Sequence, residues 1–374
     1  MKKIVILVIM MHLIHQFGIA KKDITAFIEK KIVGKETPGF QYIIADSSGI
    51  IFEYNGGFSN LETKQPITPV TEFKAYSSTK TFTALAIMQL VEAGKLSLDD
   101  TVGQVLNIPF SGAFTFRQVL SHTAGLTGKP LISQIHLESE HDSFDASSNT
   151  KKLIDQYTVL SFSPGKKKKY SNLGFLLLGY TISKISSMPY EDYVIKNIFS
   201  RLGQENPYGF IFTQNTAKAY LRTSSLMHFL YGLMVDKNKY YDTKLEGFQG
   251  YKNLYVNGTS YGGIFTNARG LVNYGLMLMK KNSPLLSDGY KEQLFTSQIL
   301  SNGKSSGHTL GWFIKEKKGV TYYSHPGGGG GYSCEIRIYP EKGIVSVFMM
   351  NTTQLLSHLK LLDKLDQHFL SESR

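Results

Sequence analysis

The 374-residue sequence contains a single cysteine, Cys334. One thiol cannot form an internal disulfide, so the chain must rely on its apolar core, and an apolar content of 42% is ordinary for a globular protein. A lone cysteine in a strand-like stretch is more often a small buried hydrophobe than a nucleophile. These observations exclude a disulfide-stapled scaffold and assign Cys334 no catalytic role.

Acidic residues are also scarce relative to basic ones, with 29 Asp and Glu against 41 Lys and Arg, for a net charge of +12. Such a balance favours anionic surfaces, but no zinc-finger, RNA-binding or helix-turn-helix pattern accompanies it. We expect association with the cell-envelope surface and a small-molecule or peptide substrate, for which peptidoglycan is a candidate source. Nucleic acid is not an expected partner, and the oligomeric state is left open.

The chain begins with MKKIVILVIMMHLIHQFGIA, two lysines followed by an apolar run and small residues. This layout is typical of a cleavable secretory signal, and the run is too short to cross a bilayer comfortably. We predict a signal peptide over residues 1–20 and an exported, periplasmic or secreted protein. An uncleaved membrane anchor is the alternative.

The remaining chain, residues 21–374, is predicted to form a single catalytic domain of the α/β (α+β) class. Strand patterns at 40–46 and 50–55 predict one hairpin, and patterns at 332–340 and 344–351 predict another. Helical patterns dominate the middle. We expect an antiparallel sheet from about 21–75 and 260–374, flanked by helices, with a mostly helical region of about 76–259 inserted.

The stretch SHPGGGGGYSC, residues 324–334, places five glycines after a histidine and a proline. A linker would be longer and more polar, and a phosphate loop would need a strand-then-helix context. The remaining interpretation is a substrate-facing strand edge with His325 aimed at the site.

Such an edge requires a nucleophile, and GxSxG at Gly258–Gly262 offers Ser260. With Asp288 and His325 it follows the chain order of α/β-hydrolases, but no alternating strand-helix units surround it. This reading remains a minority alternative.

The Ser-x-x-Lys pattern is a second source of a nucleophile. It occurs at Ser77/Lys80, Ser148/Lys151, Ser163/Lys166, Ser301/Lys304 and Ser357/Lys360. The pair Ser77/Lys80 is distinguished because it opens a long helix that is apolar nearly all round. Residues i and i+3 share a helical face, and burial favours a neutral lysine that can act as a base.

Tyr170-Ser171-Asn172 opens another apolar helix, after an SPG turn. A phenol beside the Lys80 ammonium would have a lowered pKa and could serve as a general base. The Asn172 amide could hydrogen-bond a substrate amide and Lys80 together. The same Tyr-x-Asn pattern at Tyr251/Asn253 and Tyr255/Asn257 lacks this context.

Together, Ser77-x-x-Lys80, Tyr170-Ser171-Asn172 and His325-Pro326-Gly327 resemble the three motifs of the penicillin-recognising serine hydrolases. The likeness is to the branch of class C β-lactamases, D-alanyl-D-alanine carboxypeptidases, D-aminopeptidases and esterases. Flanking segments extend the resemblance over nearly the whole mature chain, and it implies a β-lactamase/transpeptidase-like fold.

The resemblance implies a role for each motif residue. Ser77 would be acylated, and Lys80 and Tyr170 would move its proton and activate water. Asn172, His325 and Gly327 would bind substrate, and the N–H groups of Ser77 and Gly328 would form the oxyanion hole. No cofactor and no metal are implied.

His325 departs from the class C pattern, which has lysine at this position. A neutral imidazole holds a carboxylate less firmly than an ammonium, so peptidase or esterase activity is favoured over efficient β-lactam hydrolysis. A true class C-like β-lactamase and a non-catalytic envelope-binding protein remain alternatives, the latter disfavoured by the intact motif set. His122 is interpreted as structural.

Two further stretches receive structural interpretations. HLESEHDSFD at 136–145 is expected to be an exposed polar loop rather than a metal site. LMHFLYGLMV at 226–235 could be a lid, a substrate wall or a membrane-contacting patch, but we expect ordinary packing.

Overall fold

A computed structural model of the protein describes residues 22–108, 113–128, 134–156, 159–203, 207–234, 236–353 and 360–370. The predicted signal segment, residues 1–20, lies outside these ranges, so its assignment stays a prediction. Over the described residues, no helix combines the length and the apolar character needed to cross a membrane.

The main sheet has seven antiparallel strands in the order β12-β13-β14-β15-β1-β2-β3. Both chain ends supply its strands, as the sequence predicts, and the predicted fold class is confirmed. The strands are β1 (Gly39–Asp46), β2 (Gly49–Asn60), β3 (Gln65–Pro66), β12 (Phe313–Lys317), β13 (Val320–Gly329), β14 (Tyr332–Tyr339) and β15 (Ile344–Met350).

Three small sheets lie within the inserted region and at its borders, in the orders β4-β11-β6, β10-β5 and β7-β9-β8. Their strands are β4 (Phe73–Lys74), β5 (Ile135–Leu137), β6 (Tyr208–Gly209), β7 (Tyr220–Arg222), β8 (Tyr241–Leu245), β9 (Phe248–Tyr251), β10 (Leu254–Val256) and β11 (Phe265–Thr266).

Helices surround the sheet and make up most of the inserted region. They are α1 (22–31), α2 (Thr79–Glu92), α3 (Val102–Leu106), α4 (Phe116–Leu120), α5 (Ala146–Gln156), α6 (Asn172–Ser186), α7 (Tyr190–Asn197), α8 (Leu226–Met234), α9 (Lys237–Tyr240), α10 (Thr259–Gly262), α11 (Ala268–Met279), α12 (Asp288–Phe295), α13 (Leu361–Leu365) and α14 (Gln367–Leu370).

Both predicted hairpins form because local chemistry closes their turns. The Asp46 carboxylate accepts hydrogen bonds from the backbone N–H and the hydroxyl of Ser48, at 2.8 and 2.7 Å, between β1 and β2. Between β14 and β15 a 3-10 turn ends at Gly343, whose φ of 64° lies in the left-handed region that glycine adopts at no steric cost.

The central strands β1, β14 and β15 are buried on both faces, and the period-two alternation of their residues assigns side chains to two cores. On β1, Tyr42 and Ile44 pack with α1 and with the C-terminal helices α13 and α14. Ile43 and Ala45 point to the other side, into the larger core that contains α2 and α6. This second layer carries the buried helices on which the Ser-x-x-Lys and Tyr-x-Asn motifs lie.

Two of the structural expectations from sequence are wrong in part. Leu226, Phe229 and Leu233 of α8 were expected to pack, but they are 68%, 63% and 73% exposed. His136 was expected in an exposed loop, but it is buried and lies 2.9 Å from His141, ring nitrogen to ring nitrogen. His136 lies on β5, which pairs with β10 so that His136 is opposite Tyr255. This pairing places the His136 ring inside the protein.

Candidate active site

Ser77 lies in a short 3-10 helix, Tyr76–Ser78, that runs directly into α2. The neighbouring Ser78 hydroxyl donates to the backbone oxygen of His325 at 2.9 Å, which ties the start of α2 to β13. Tyr76 has a φ of 42°, a left-handed conformation that is strained for a bulky residue. This backbone leaves Ser77 partly exposed, while Tyr76 and Ser78 on either side of it are buried.

Lys80, the second residue of α2, is fully buried, with its Nζ 3.2 Å from Ser77 Oγ. The amine donates to the backbone oxygen of Tyr261 at 2.8 Å and lies 4.9 Å from the Tyr170 ring centroid. Burial lowers the pKa of Lys80 well below its usual value. A largely neutral amine beside a serine hydroxyl is suited to accept its proton.

Tyr170 lies on the other side of Lys80. Burial raises the pKa of its phenol, and a hydrogen bond with Ser77 acts in the opposite direction. The side chain as a whole is 41% exposed, so this burial describes the surroundings of the hydroxyl rather than the whole ring. The predicted lowering of the Tyr170 pKa is therefore wrong, because burial of the hydroxyl raises the pKa more than the hydrogen bond with Ser77 lowers it. The phenol is suited to donate a proton.

His122 packs against Tyr170, in agreement with the structural role predicted from sequence. Its ring lies against the Tyr170 ring with centroids 4.5 Å apart, and its Nδ1 accepts the backbone N–H of Ser171 at 3.1 Å. Burial lowers the pKa of His122 well below its usual value, so the ring is neutral and can accept this bond. Ser171 then caps α6 through Gly174 N–H at 3.0 Å.

Asn172 is the first residue of α6 and lies at the same end of the helix as Tyr170. The predicted hydrogen bond with Lys80 is not formed, because the Tyr261 backbone oxygen receives the lysine instead. Within the described residues, Asn172 Oδ1 is buried without a hydrogen-bond partner. The role of Asn172 in substrate binding stays a prediction. Its Oδ1 is an acceptor that a substrate N–H group could use.

His325 is buried at the centre of β13, 6.3 Å from the Tyr170 ring between centroids. Its Nδ1 lies 2.9 Å from the backbone oxygen of Pro326, and because a carbonyl only accepts, Nδ1 carries the proton. Burial, with the charge of Lys80 next in size, lowers the pKa of His325 well below its usual value. The imidazole is neutral, and its Nε2 has no partner in the described part of the chain.

The glycine run has two structural roles. β12 pairs with β13 only as far as Ser324, so the segment from His325 onward has an open edge on that side. At Gly327 any Cβ would lie 2.1 Å from the backbone oxygen of Ala75, so only glycine lets this strand approach the Ser77 segment. Gly330 and Gly331 form the turn into β14, with φ of 36° and 92°.

Gly328 lies on the open segment of β13, paired with Ser333 on its other side. The strand packs against the Ser77 segment at Gly327, which brings the two predicted oxyanion-hole residues to neighbouring elements. The convergence of their N–H groups on one oxygen stays a prediction.

The alternative nucleophile Ser260 lies in α10, where its hydroxyl donates to the backbone oxygen of Phe175 at 2.9 Å. It is buried against Gly179 of α6, where a Cβ would lie 2.4 Å from Ser260 Oγ. An elbow that exposes a serine above a sheet edge is absent here. The GxSxG segment instead contributes the Tyr261 backbone oxygen that holds Lys80.

Sequence reasoning missed three contributors to the site. The Tyr261 carbonyl carries no signal in the sequence, because every residue has one. Ser78 is visible as the second serine of the motif, and its bond to His325 could have been suspected from that repetition. His308, buried with its ring 5.2 Å from that of His122, comes from a glycine-rich loop without helical or strand periodicity.

Across the described residues, no group of three or more His, Cys, Asp or Glu side chains is placed to hold a metal ion. The Ser77 hydroxyl, the Lys80 amine with its lowered pKa and the Tyr170 phenol with its raised pKa lie together at one partly exposed site. Their combination is that of a serine acyl-hydrolase.

Comparisons with known proteins agree with this class. The Beta-lactamase family model matches residues 24–368. Penicillin-binding protein 4* of Bacillus subtilis (strain 168) is 26% identical over 336 residues, which cover 88% of this chain and 71% of that protein. The chain therefore belongs to the beta-lactamase family and to the penicillin-recognising serine hydrolase superfamily.

Solved structures show the same fold. The octameric penicillin-binding protein homologue from Pyrococcus abyssi superposes with a TM-score of 0.72 at 25% identity, covering 93% of this chain and 78% of that one. A class C beta-lactamase superposes with a TM-score of 0.72 at 18% identity, covering 96% of this chain and 97% of that one.

Proposed function

We propose that the protein is an exported enzyme that cleaves D-amino-acid peptides, esters or, slowly, β-lactams through an acyl-enzyme on Ser77. The observation that carries this proposal is the 3.2 Å separation between Lys80 Nζ and Ser77 Oγ, in surroundings that hold the amine neutral. Export rests on the signal-like residues 1–20 alone.

Acylation begins when Lys80 Nζ accepts the Ser77 hydroxyl proton and Oγ attacks the carbonyl carbon of the substrate. The negative charge that develops on the carbonyl oxygen is received by the N–H groups predicted at Ser77 and Gly328. As the intermediate collapses, the bond to the leaving amine or alcohol breaks, and Tyr170 donates the proton that the leaving group needs. Lys80 then passes the proton that it took from Ser77 to the Tyr170 phenolate, which restores both groups.

Deacylation repeats these steps with water as the nucleophile. Lys80 Nζ takes a proton from water, the hydroxyl oxygen attacks the ester carbon, and the bond to Ser77 Oγ breaks as Tyr170 donates a proton to that oxygen. Lys80 then passes its proton to the Tyr170 phenolate. Ser77 has then recovered its proton, and the acid leaves. The same pair of groups serves both halves of the reaction, so loss of either one affects acylation and deacylation.

The chemistry of His325 supports esters and peptides over β-lactams. A neutral imidazole that already uses Nδ1–H on Pro326 offers a substrate carboxylate neither a charge nor a donor. The lysines at 166–169 precede Tyr170 in the chain and add positive charge near the end of the site that carries it. They favour the approach of anionic substrates without fixing the carboxylate beside the nucleophile.

The first test follows intact mass with time after benzylpenicillin is added to wild type and to Ser77→Ala. A single adduct that persists in wild type alone supports a penicillin-binding peptidase, and one that vanishes with drug consumption supports a β-lactamase. If no adduct forms, the same pair is treated with an activated phosphonate ester, which also labels an esterase.

Ser260→Ala is the matched control, because it removes a serine of the competing motif without touching Ser77. We expect Ser260→Ala to be labelled as wild type is. Labelling that survives in Ser77→Ala and disappears in Ser260→Ala would reject the proposed nucleophile.

A further inference from the structure

The helix α8 has an apolar face with no covering element among the described residues. Leu226, Phe229 and Leu233 are 68%, 63% and 73% exposed, among the most exposed large hydrophobic side chains of the described chain. Their spacing of three and four residues places them on one side of the helix. Single exposed apolar residues are common on protein surfaces, but three on one helical face mark an interaction surface.

The opposite side of α8 is the one that attaches it to the protein. The His228 ring stacks on Tyr241 of β8 with centroids 6.0 Å apart, and its backbone N–H is capped by Ser225 Oγ at 3.1 Å. Gly232 lies against Lys237, whose Cε would be 3.0 Å from any added Cβ. Because the helix is already attached through His228 and Gly232, the exposed face is not needed for its packing.

Positive charge surrounds this face. Lys237 and Lys244 are exposed, lie close enough to lower the pKa of His228 after the larger effect of burial, and form no ion pair with a carboxylate of the described chain. Of three acidic residues nearby, only Asp242 forms an ion pair within the described chain. Asp236 caps α9 through Asn238 N–H at 2.9 Å, and Asp242 pairs with Lys218 at 2.7 Å; Glu246, at the β8–β9 turn, is exposed.

We propose that the apolar face of α8, with Lys237 and Lys244 beside it, docks the enzyme on an anionic lipid bilayer surface. Charge complementarity selects this occupant. A second copy of the chain would bring the same lysines against each other and would be repelled, whereas anionic headgroups attract them. With nine residues at 1.5 Å each, α8 is about 14 Å long, so it lies in the plane of the interface rather than crossing it.

The mode of contact follows from the geometry of the helix. Leu226, Phe229 and Leu233 enter the boundary between headgroups and acyl chains, while Lys237 and Lys244 remain at headgroup level. Such a contact is reversible and depends on salt, because a short apolar face needs electrostatic help to bind. The inference is independent of the substrate proposed for Ser77.

The test places a reporter on the surface itself. Trp312 is the single tryptophan and is fully buried, so Phe229→Trp adds one exposed fluorophore to the full-length chain. Fluorescence is measured on vesicles of phosphatidylcholine with and without phosphatidylglycerol, both carrying brominated acyl chains that quench tryptophan on contact. We expect emission to fall by about half on the anionic vesicles and to change little on the zwitterionic ones.

Two variants in the same background test the chemistry of the contact. Exchange of both Lys237 and Lys244 for glutamate should weaken partitioning by on the order of tenfold or more, since each lysine near the surface contributes to binding. Leu233→Glu should weaken it by a similar factor because it places a charge in the apolar face.

The control is Ile299→Trp, which puts a tryptophan at another residue that is 60% exposed, in a loop away from α8. It reports whether residues 1–20, present in every variant, bring the protein to vesicles without engaging α8. Equal quenching of both reporters would overturn the proposal, as would no quenching of Phe229→Trp.

A blue shift of Phe229→Trp that grows with protein concentration in the absence of vesicles would also overturn it, in favour of a second copy. Leu233→Trp repeats the measurement if Phe229→Trp does not fold. Circular dichroism and hydrolysis of an activated ester verify that each variant is native.

Discussion

Lys80 and Arg337 are buried in two different regions of the molecule, and their surroundings shift the side-chain pKa in opposite directions. Lys80 is buried beside Ser77, with a backbone oxygen and aromatic rings around it, and burial lowers its pKa well below the usual value. Arg337 is 1% exposed on the opposite face of the sheet. There burial alone would lower its pKa, but the charge of Glu335, followed by smaller contributions, more than compensates and holds it above its usual range.

The difference lies in the partners. Arg337 Nε and Glu335 Oε1 are 2.8 Å apart, and a second nitrogen of Arg337 lies 2.6 Å from Asp363. Close by, Asp366 accepts hydrogen bonds from Tyr42, Tyr339 and Ser346 at 2.6 to 2.8 Å. A buried cation with counter-charges is a structural group that stays ionised, whereas one without them becomes a base.

The largest effect is expected from Lys80→Arg. This variant keeps a basic side chain beside Ser77, but a guanidinium stays protonated at all working pH values. A guanidinium cannot accept the Ser77 proton, so acylation by an activated ester should slow by about 10²–10⁴-fold, and Lys80→Met should slow it similarly. Rates are measured by single-turnover mass spectrometry. Lys95→Met, at an exposed position after α2, serves as control and should keep the wild-type rate. Acylation of Lys80→Arg within tenfold of wild type would contradict the assignment.

The paired region is tested by Arg337→Met, which leaves the buried Glu335 without its counter-charge. Breaking a buried ion pair from one side costs about 3–5 kcal/mol, to be measured as the free energy of urea unfolding. Arg117→Met provides the comparison, since Arg117 pairs with Asp99 at 2.8 Å where the side chains are 35% and 68% exposed. That loss should stay below about 1 kcal/mol. Similar losses for both variants would show that burial does not separate the two pairs.

A third buried cation, Lys74 on β4, gives an effect that is small per pH unit and graded with pH. It donates to the backbone oxygen of Leu254 at 2.8 Å, and burial lowers its pKa to about 7 from 10.5. Below pH 7 both folded and unfolded chains hold the proton. Between pH 7 and 10.5 the unfolded chain keeps it while the folded chain has lost it, so stability rises with pH.

Lys74→Met should therefore reduce the slope of unfolding free energy against pH in this window, by about 1.4 kcal/mol per pH unit. Urea titrations at pH values across the window measure the slope. Lys95→Met, whose lysine is exposed, should leave it unchanged. Parallel curves for wild type and Lys74→Met would mean that Lys74 titrates with an ordinary pKa in the folded protein.

Much of the fold and part of the site could be predicted from residue order. The hairpins followed from alternation and turn chemistry, and the buried helix after Ser77 from its all-round apolar pattern. Because i and i+3 share a helical face, the approach of Lys80 to Ser77 is a local property that needs no tertiary contact to specify. The neutral state of Lys80 followed from the same burial.

Errors occurred where a property depends on groups distant in the chain. The Tyr170 pKa was predicted with the wrong sign, because the largest influence on it is burial of its hydroxyl by the segments packed around it. Asn172 was expected to hydrogen-bond Lys80, but the lysine donates to the backbone oxygen of Tyr261 instead. The apolar sequence of α8 looked like core, yet Leu226 and Phe229 found no covering element in the described structure.

Residue order alone was sufficient to predict two hairpins of the main sheet, the buried helix that follows Ser77, and the set of motifs that marks the family. These depend on periodicity and on short spacings along the chain, where a residue's neighbours are known in advance. Tertiary structure alone decided which buried cations have counter-charges, which carbonyl holds Lys80, and which apolar helix face stays open. Partners and burial are set by segments far apart in sequence, and they control charge state and exposure more strongly than the identity of the residue does.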